Sequence, residues 1–182
     1  MHDLPDEQLV ALSARGRQDA FEVLVKRHQR KVAGLAYRFT GSRVDAEDLA
    51  QDVFLSAWTA AARWRPEAKF ATWLYRVTAN ACLNWKRRSR PALVENLDAQ
   101  PGAGESAEAA LARREEGEAV GAAVKALPAN QRMALILRRF EGRSNREVAD
   151  AMDCSESAVE GLLQRAYDGL RGKLRAVPDF SR

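Results

Sequence analysis

Apolar residues in this chain recur at three- and four-residue spacings over most of its length, and no stretch alternates convincingly over strand length. Phe21, Leu24, Val25, Val32, Leu35, Ala36 and Phe39 share one helical face, and Ala46, Leu49, Ala50, Val53, Phe54, Ala57, Trp58 and Ala61 share another. This spacing predicts helices over about 20–40 and 46–62. Asp45 can cap the second, where the acids Glu47 and Asp48 suit a positive helix N-terminus. Pro66 breaks the pattern, and a third helix over about 68–88 carries Phe70, Trp73, Leu74 and Val77 on its apolar side. An all-α fold follows. With 182 residues, 46% of them hydrophobic, the chain can build one ordinary domain or two small ones with packed cores.

The composition then shifts. The run PALVENLDAQPGAGESAEAALA, from Pro91, holds Pro, Gly, Ser and Ala with acids and no Lys or Arg, and its first part reads as a flexible linker that should keep away from DNA. Helical propensity returns near residue 106. The expected division is an N-terminal domain over 1–90, a linker over 91–105 and a C-terminal domain over 106–182.

The C-terminal part is punctuated clearly. Pro128 suits a helix start, and Gly142 suits a helix stop after ANQRMALILRRFEG. Ser144 and Glu147 fit a capping box, and Ser155 can cap the last helix, with only Asp153-Cys154-Ser155 between the two. Val159, Leu162, Leu163, Ala166, Tyr167, Leu170 and Leu174 form the apolar stripe of that last helix. Two helices joined so tightly make an ordinary helical hairpin or a helix-turn-helix that reads DNA. The polar outer face of the second, with Glu156, Ser157, Glu160, Gln164 and Arg165, favours DNA: Gln pairs with adenine, Arg with guanine, and Glu accepts from cytosine.

Two further constellations stand out. The third helix is aromatic at its start and cationic at its end, where Lys86, Arg87 and Arg88 follow Trp85. Cations suit any helix C-terminus, but aromatic and basic groups together are what unstacked single-stranded DNA requires. The second helix presents Asp45, Glu47, Asp48 and Asp52, an acidic face that serves solubility or a protein partner. The net charge of +4 favours a polyanionic partner only mildly. Cys82, Cys154, His2 and His28 form no metal-ligand spacing, and the expectation is reduced thiols, no metal and no cofactor. The opening HDLPDEQLV lacks the basic start and apolar core of a signal peptide, and no apolar run reaches membrane-spanning length, so a cytoplasmic protein without direct membrane insertion is expected. No glycine-rich phosphate loop, HExxH or nucleophile–base motif points to an enzyme.

Taken together, DAEDLAQDVFLSAW, KFATWLYRVTANACLNWKRR and the run from Leu127 to Leu174 resemble the extracytoplasmic-function group of bacterial RNA polymerase sigma factors. The last run alone also resembles the DNA-binding domain of LuxR-type regulators, and a stand-alone helix-turn-helix regulator is the alternative. The sigma resemblance implies a transcription initiation factor that binds core RNA polymerase at the β′ clamp helices and β flap. It implies contacts to the clamp helices through Asp45, Glu47, Asp48, Gln51 and Asp52. It places the −10 element against Arg63, Lys69, Asn80, Asn84, Lys86, Arg87 and Arg88, and the −35 element against Ser155, Glu156, Ser157, Glu160, Gln164, Arg165 and Arg171. It also implies an anti-sigma factor and a stress response. Glu160, Gly161 and Asp168 make this recognition helix less cationic than the family's usual one.

Overall fold

A computed structural model describes residues 1, 3–64, 69–88 and 117–174. The described residues fold into helices: α1 (Asp6–Ser13), α2 (Gln18–Thr40), α3 (Arg43–Ala60), a 3-10 turn (Ala61–Arg63), α4 (Phe70–Arg88), α5 (117–125), α6 (Ala129–Leu135), a π-helical turn (Ile136–Phe140), α7 (Asn145–Met152) and α8 (Glu156–Leu174). The all-α expectation holds. The proposed linker over 91–105 and the chain beyond residue 174 lie outside the described residues.

Local chemistry sets the helix ends. Gly41 takes the left-handed conformation, φ 71°, and returns its N–H to Tyr37 O at 2.7 Å, which stops α2. Ser42, not Asp45, caps α3: its hydroxyl accepts from the Asp45 N–H, so the helix begins three residues earlier than the sequence reading had it. Asp45 instead sits in the first turn, where its charge still meets the helix dipole. Gly142 ends the π-helical turn at φ 64°, and the Ser144–Glu147 capping box opens α7.

The expected pattern contained no helix before residue 20, yet α1 is a structural support. Asp6 accepts from Arg27 Nη1 at 2.6 Å and from His28 Nε2 at 2.7 Å, fastening α1 to α2. Glu7 accepts from the Phe70 N–H at 3.3 Å, satisfying one of the donors that α4 leaves free at its start. Leu9, Leu24, Val53, Phe70 and Leu74 join α1–α4 in one apolar cluster. A second joins α5, α6 and α8 through Val124, Leu127, Leu135, Ala166, Leu170 and Leu174.

A third cluster crosses between the halves of the chain. Leu35, Phe39, Leu49, Ala79 and Cys82 meet Met133, Ile136, Leu137, Val148, Val159 and Leu163. The Arg132 guanidinium is buried at the same junction, 3% exposed. It donates to Phe39 O at 2.8 Å, to Lys125 O and to Leu127 O, and lies 5.2 Å from the Phe39 ring centroid. Lys125 Nζ reaches Gly41 O at 3.4 Å. The end of α2 is thus capped by cations from the C-terminal half.

Burial pushes the Asp6 carboxyl up, but hydrogen bonds from Arg27 and His28 and their nearby charges outweigh it and hold the group below its ordinary value. A depressed carboxyl contributes stability above the unfolded-state value, near 3.9, and loses it as pH falls through the folded one. Asp6→Asn should therefore lower stability near pH 7 by about 1–2 kcal/mol. In thermal melts the difference from wild type should shrink below about pH 4.

Candidate nucleic-acid interfaces

The α7–α8 pair is built as a helix-turn-helix. Asp153 turns into the left-handed region, φ 53°, a conformation that a short polar side chain tolerates. Both its N–H and that of Cys154 return to Ala149 O, the latter at 3.1 Å. Ser155 Oγ then accepts the Ala158 N–H at 3.1 Å and starts α8. Val159, Leu163, Ala166, Leu170 and Leu174 are buried. The opposite face is exposed: Ser155, Glu156, Ser157, Glu160, Gln164, Arg165 and Arg171 all point to solvent. Gln164 reaches Asp168 at 3.2 Å, and Arg171 lies 3.8 Å from Asp168. Tyr167, expected in the apolar stripe, is instead 39% exposed. It lies three residues after Gln164 and four before Arg171, which is the outward side of a 3.6-residue helix.

On α4 the apolar face is buried through Phe70, Leu74, Tyr75, Thr78, Ala79 and Cys82. Asn80, Asn84, Lys86, Arg87 and Arg88 are exposed along the remaining face and at the C-terminal end. Arg87 donates to Asn84 Oδ1. Arg63 and Lys69 are exposed on either side of residues 65–68, which lie outside the described set. Trp73 is half-buried, and its ring centroid lies 5.7 Å from that of Phe70.

The acidic residues of α3 divide by burial. Glu47, Asp48, Gln51 and Asp52 are exposed, and Asp45 is half-buried beside its cap. Next to them runs an apolar groove of about 700 Å³ between α2 and α3, lined by Phe21, Val25, Phe54, Leu55 and Trp58, with Glu47 and Gln51 on its rim. Leu55 is 65% exposed. The sequence reading passed over this groove. Its signal was Leu55, an apolar residue off the α3 stripe.

Helix α4 meets the C-terminal half through α7 and the residues around the π-helical turn, not through α8 itself. Glu141, just beyond the π-helical turn, accepts from Arg38 Nη1 at 3.1 Å and from the Tyr75 hydroxyl at 3.0 Å. Arg143 donates to the Tyr75 hydroxyl at 3.3 Å and to Glu147 at 3.1 Å, its guanidinium 4.4 Å from the Tyr75 ring centroid. Burial, then the Glu141 charge, push the Tyr75 phenol above its ordinary value. Burial alone lowers that of Arg132.

No group of three or more His, Cys, Asp or Glu side chains among the described residues could hold a metal, and none of the described helices is long and apolar enough to cross a membrane. The fold is a two-part, all-helical one that carries a helix-turn-helix at its C-terminal end and a cation-tipped aromatic helix before it. Residues 24–91 match the sigma-70 region 2 family and residues 117–168 match sigma-70 region 4. The chain is 35% identical to the RNA polymerase sigma-H factor of Pseudomonas aeruginosa, over 94% of this chain and 95% of that one. It is 32% identical to the ECF RNA polymerase sigma-E factor of Escherichia coli K12, over 96% of each. Among solved structures it is similar to CnrH in complex with the cytosolic domain of CnrY, with TM-score 0.70, 29% identity and coverage of 94% of this chain and 98% of that one. Its fold is also that of the sigma factor RpoE in complex with the anti-sigma factor NepR from Bartonella quintana, with TM-score 0.67, 21% identity and coverage of 89% and 98%. This chain belongs to the extracytoplasmic-function sigma factors, the transcription initiation factors that direct RNA polymerase to promoters.

The two thiols differ in environment. Burial pushes Cys82 up to about 12. Burial and the Asp153 charge raise Cys154, which is half-buried in the turn. The thiolate is the reactive form, so both should alkylate slowly in the native chain. Timed labelling followed by mass spectrometry should find Cys154 modified first, and Cys82 only after denaturant is added.

Proposed function

We propose that the chain divides promoter recognition between two exposed surfaces, with α4 on the −10 element and α8 on the −35 element, while α3 and its groove hold core polymerase. The observation that carries this is the exposure of every candidate contact residue on α4 and α8, on helices whose opposite faces are buried. A base-reading side chain must be free of packing duties, and each of these is. In this reading the domains are 1–90 and 106–182, joined by 91–105.

On α8, Gln164 and Arg165 reach base edges in a major groove, with Glu156 and Glu160 accepting from exposed amino groups of bases and Arg171 near the backbone. On α4, Arg87 and Arg88 hold the backbone of the −10 strand, while Asn80 and Asn84 meet unstacked bases. Arg63 and Lys69 flank the same strand. Lys86 adds positive charge there.

The α2–α3 groove, largely apolar and lined by one acid, Glu47, would take the β′ clamp helices of core polymerase: apolar side chains would fill the space between Phe21, Leu55 and Trp58, and basic ones would meet Glu47 and the exposed Asp48 and Asp52 of the same helix. The C-terminal half would meet the β flap. The chain would work in the cytoplasm, where it would have no reaction of its own to catalyse. A separate anti-sigma factor would hold it inactive until stress releases it. The likeness to CnrH, which is bound by the cytosolic domain of CnrY, supports that control.

Asp48→Lys with Asp52→Lys should weaken assembly with core polymerase while leaving the fold intact, because exposed substitutions change stability by only about ±0.5 kcal/mol. Size-exclusion co-elution with core enzyme reads this; a double variant that co-elutes as the wild type does would remove α3 from the interface.

Base readout and backbone contact should separate by salt and sequence. Arg165→Ala should lose about 1–3 kcal/mol and relax preference at one or two −35 positions. Arg87→Ala with Arg88→Ala should weaken initiation on all promoters and reduce the salt slope by roughly one unit per lost phosphate contact. Transcription with core polymerase on a −35 substitution panel, across a salt series, measures both. A selective loss for the Arg87/Arg88 variant and a uniform one for Arg165 would invert the assignment.

A further inference from the structure

The start of α4 is a helix end that the residue at its cap position leaves unserved. Lys69 O accepts the Trp73 N–H at 3.2 Å, which puts Lys69 at the N-cap. A Lys side chain has donors and no acceptor, so it satisfies none of the free N–H groups of the first turn. Its charge also stands at the positive end of the helix dipole. Ser, Thr, Asp or Asn would cap the helix there.

The acceptor comes instead from α1. Glu7 Oε1 accepts from the Phe70 N–H at 3.3 Å, across 63 positions of sequence. Glu7 is half-buried, and its carboxylate brings negative charge to the same helix end. Its place is fixed by its neighbours. Asp6 holds α1 to α2 through Arg27 and His28. The His28 ring in turn meets the Phe70 ring edge-on, with centroids 5.5 Å apart. Leu9 and Val10 are buried in the cluster that also contains Ala61 and Phe70. The short α1 therefore packs against both the 3-10 turn that carries Arg63 and the start of α4 beside Lys69.

Both of those cations are exposed. A local cap would put a short polar side chain where Lys69 stands, and the cation would be lost. A cap supplied from α1 leaves that position free for a side chain that meets phosphate.

We propose that Glu7 is a positioning residue for −10 recognition: by capping α4 from α1 it fixes the first turn of α4, and with it the direction in which Lys69 and, further along the same helix, Asn80 meet the −10 strand. The proposal rests on the assignment of α4 to that element. Glu7 itself touches no DNA.

Three variants of the full chain test it. Glu7→Ala removes the acceptor. Glu7→Asp keeps the charge on α1 but is one methylene too short for a contact already at 3.3 Å. Glu7→Gln keeps both the length and the acceptor. In the first arm, amide exchange is read by NMR. The Phe70 N–H should exchange about five- to tenfold faster in Glu7→Ala and Glu7→Asp, and as in wild type in Glu7→Gln. Wild-type exchange in all three overturns the cap.

In the second arm, transcription with core polymerase is measured below the melting range of every variant, on a promoter mapped from transcripts that start when the chain is overproduced. Base substitutions are made separately in its −10 and −35 elements. Glu7→Ala and Glu7→Asp should lose about five- to tenfold in initiation and discriminate less among −10 bases, with −35 discrimination unchanged. Glu7→Gln should keep both. Unaltered initiation, a loss that is uniform over the −10 panel, or a Glu7→Gln chain as impaired as Glu7→Ala overturns the positioning role. Lys69→Ala is run beside them. If it leaves −10 discrimination as in wild type, the assignment of this end of α4 falls, and the proposal with it. If Lys69→Ala flattens that discrimination and Glu7→Ala does not, the role of Glu7 alone falls.

Discussion

A single buried guanidinium holds the two ends of this structure together. A helix leaves its last carbonyls without intrahelical donors, and at α2 these face the C-terminal half of the chain, not water. Arg132 supplies a donor to Phe39 O and, from the same planar fork, to Lys125 O and Leu127 O in the turn that leads into α6. One side chain thereby sets the shape of the α5–α6 turn and the position of α6 on α2. The direction of α6 then determines where the π-helical turn delivers Glu141 and Arg143. Carbonyl dipoles and the face of Phe39 make burial of the charge tolerable, because it exchanges water for oriented partners.

The rest of the molecule separates support from recognition. The Asp6 and Glu7 carboxylates bind α1 to α2 and α4, the apolar clusters fill the faces between helices, and the Ser144–Glu147 box and Ser155 hold the helix-turn-helix in register. Apart from Ser155, which caps α8 and also stands among the −35 candidates, none of these residues is among those proposed to meet DNA. The proposed contact residues in turn sit on rigid helices and have exposed side chains. This arrangement lets the outer face of α8 vary in sequence, Glu160 and Asp168 included, at little expense to the fold. On the proposed reading phosphate attraction is weak on such a face, so affinity would come from polymerase and from α4.

The junction between the halves has a different character from the clusters within them. Within α1–α4 the contacts are mostly aliphatic and aromatic, with Leu9, Leu24 and Phe70 almost fully buried. At the junction, apolar contact through Met133, Ile136 and Val148 is combined with four cations, Arg38, Lys125, Arg132 and Arg143, one carboxylate and several unpaired polar atoms. Apolar contact supplies adhesion, and the polar set supplies specificity.

Most of the helices, several of their ends and the helix-turn-helix were legible in the order of the residues because they are local, though the start of α3 was misplaced, Ser42 and not Asp45 being its cap. Gly142 and the capping residues Ser144 and Ser155 act on backbone within a few positions, and apolar spacing reports a helix face without reference to its partner. The exposed faces of α4 and α8 were legible for the same reason. What lay beyond reach was non-local. The short α1 carries too little periodicity to announce itself, and its value lies in two carboxylates that find Arg27, His28 and the Phe70 N–H in space. Nothing near Arg132 in the chain marks it as buried, since its carbonyl partner on α2 is far away in sequence. The groove beside Leu55 is made by residues of both α2 and α3. Placing Tyr167 outward needed the phase of α8 against its neighbours. Periodicity specifies which side of a helix is apolar; packing alone specifies what that side meets, because the free energy of a contact depends on groups that only the folded chain brings together.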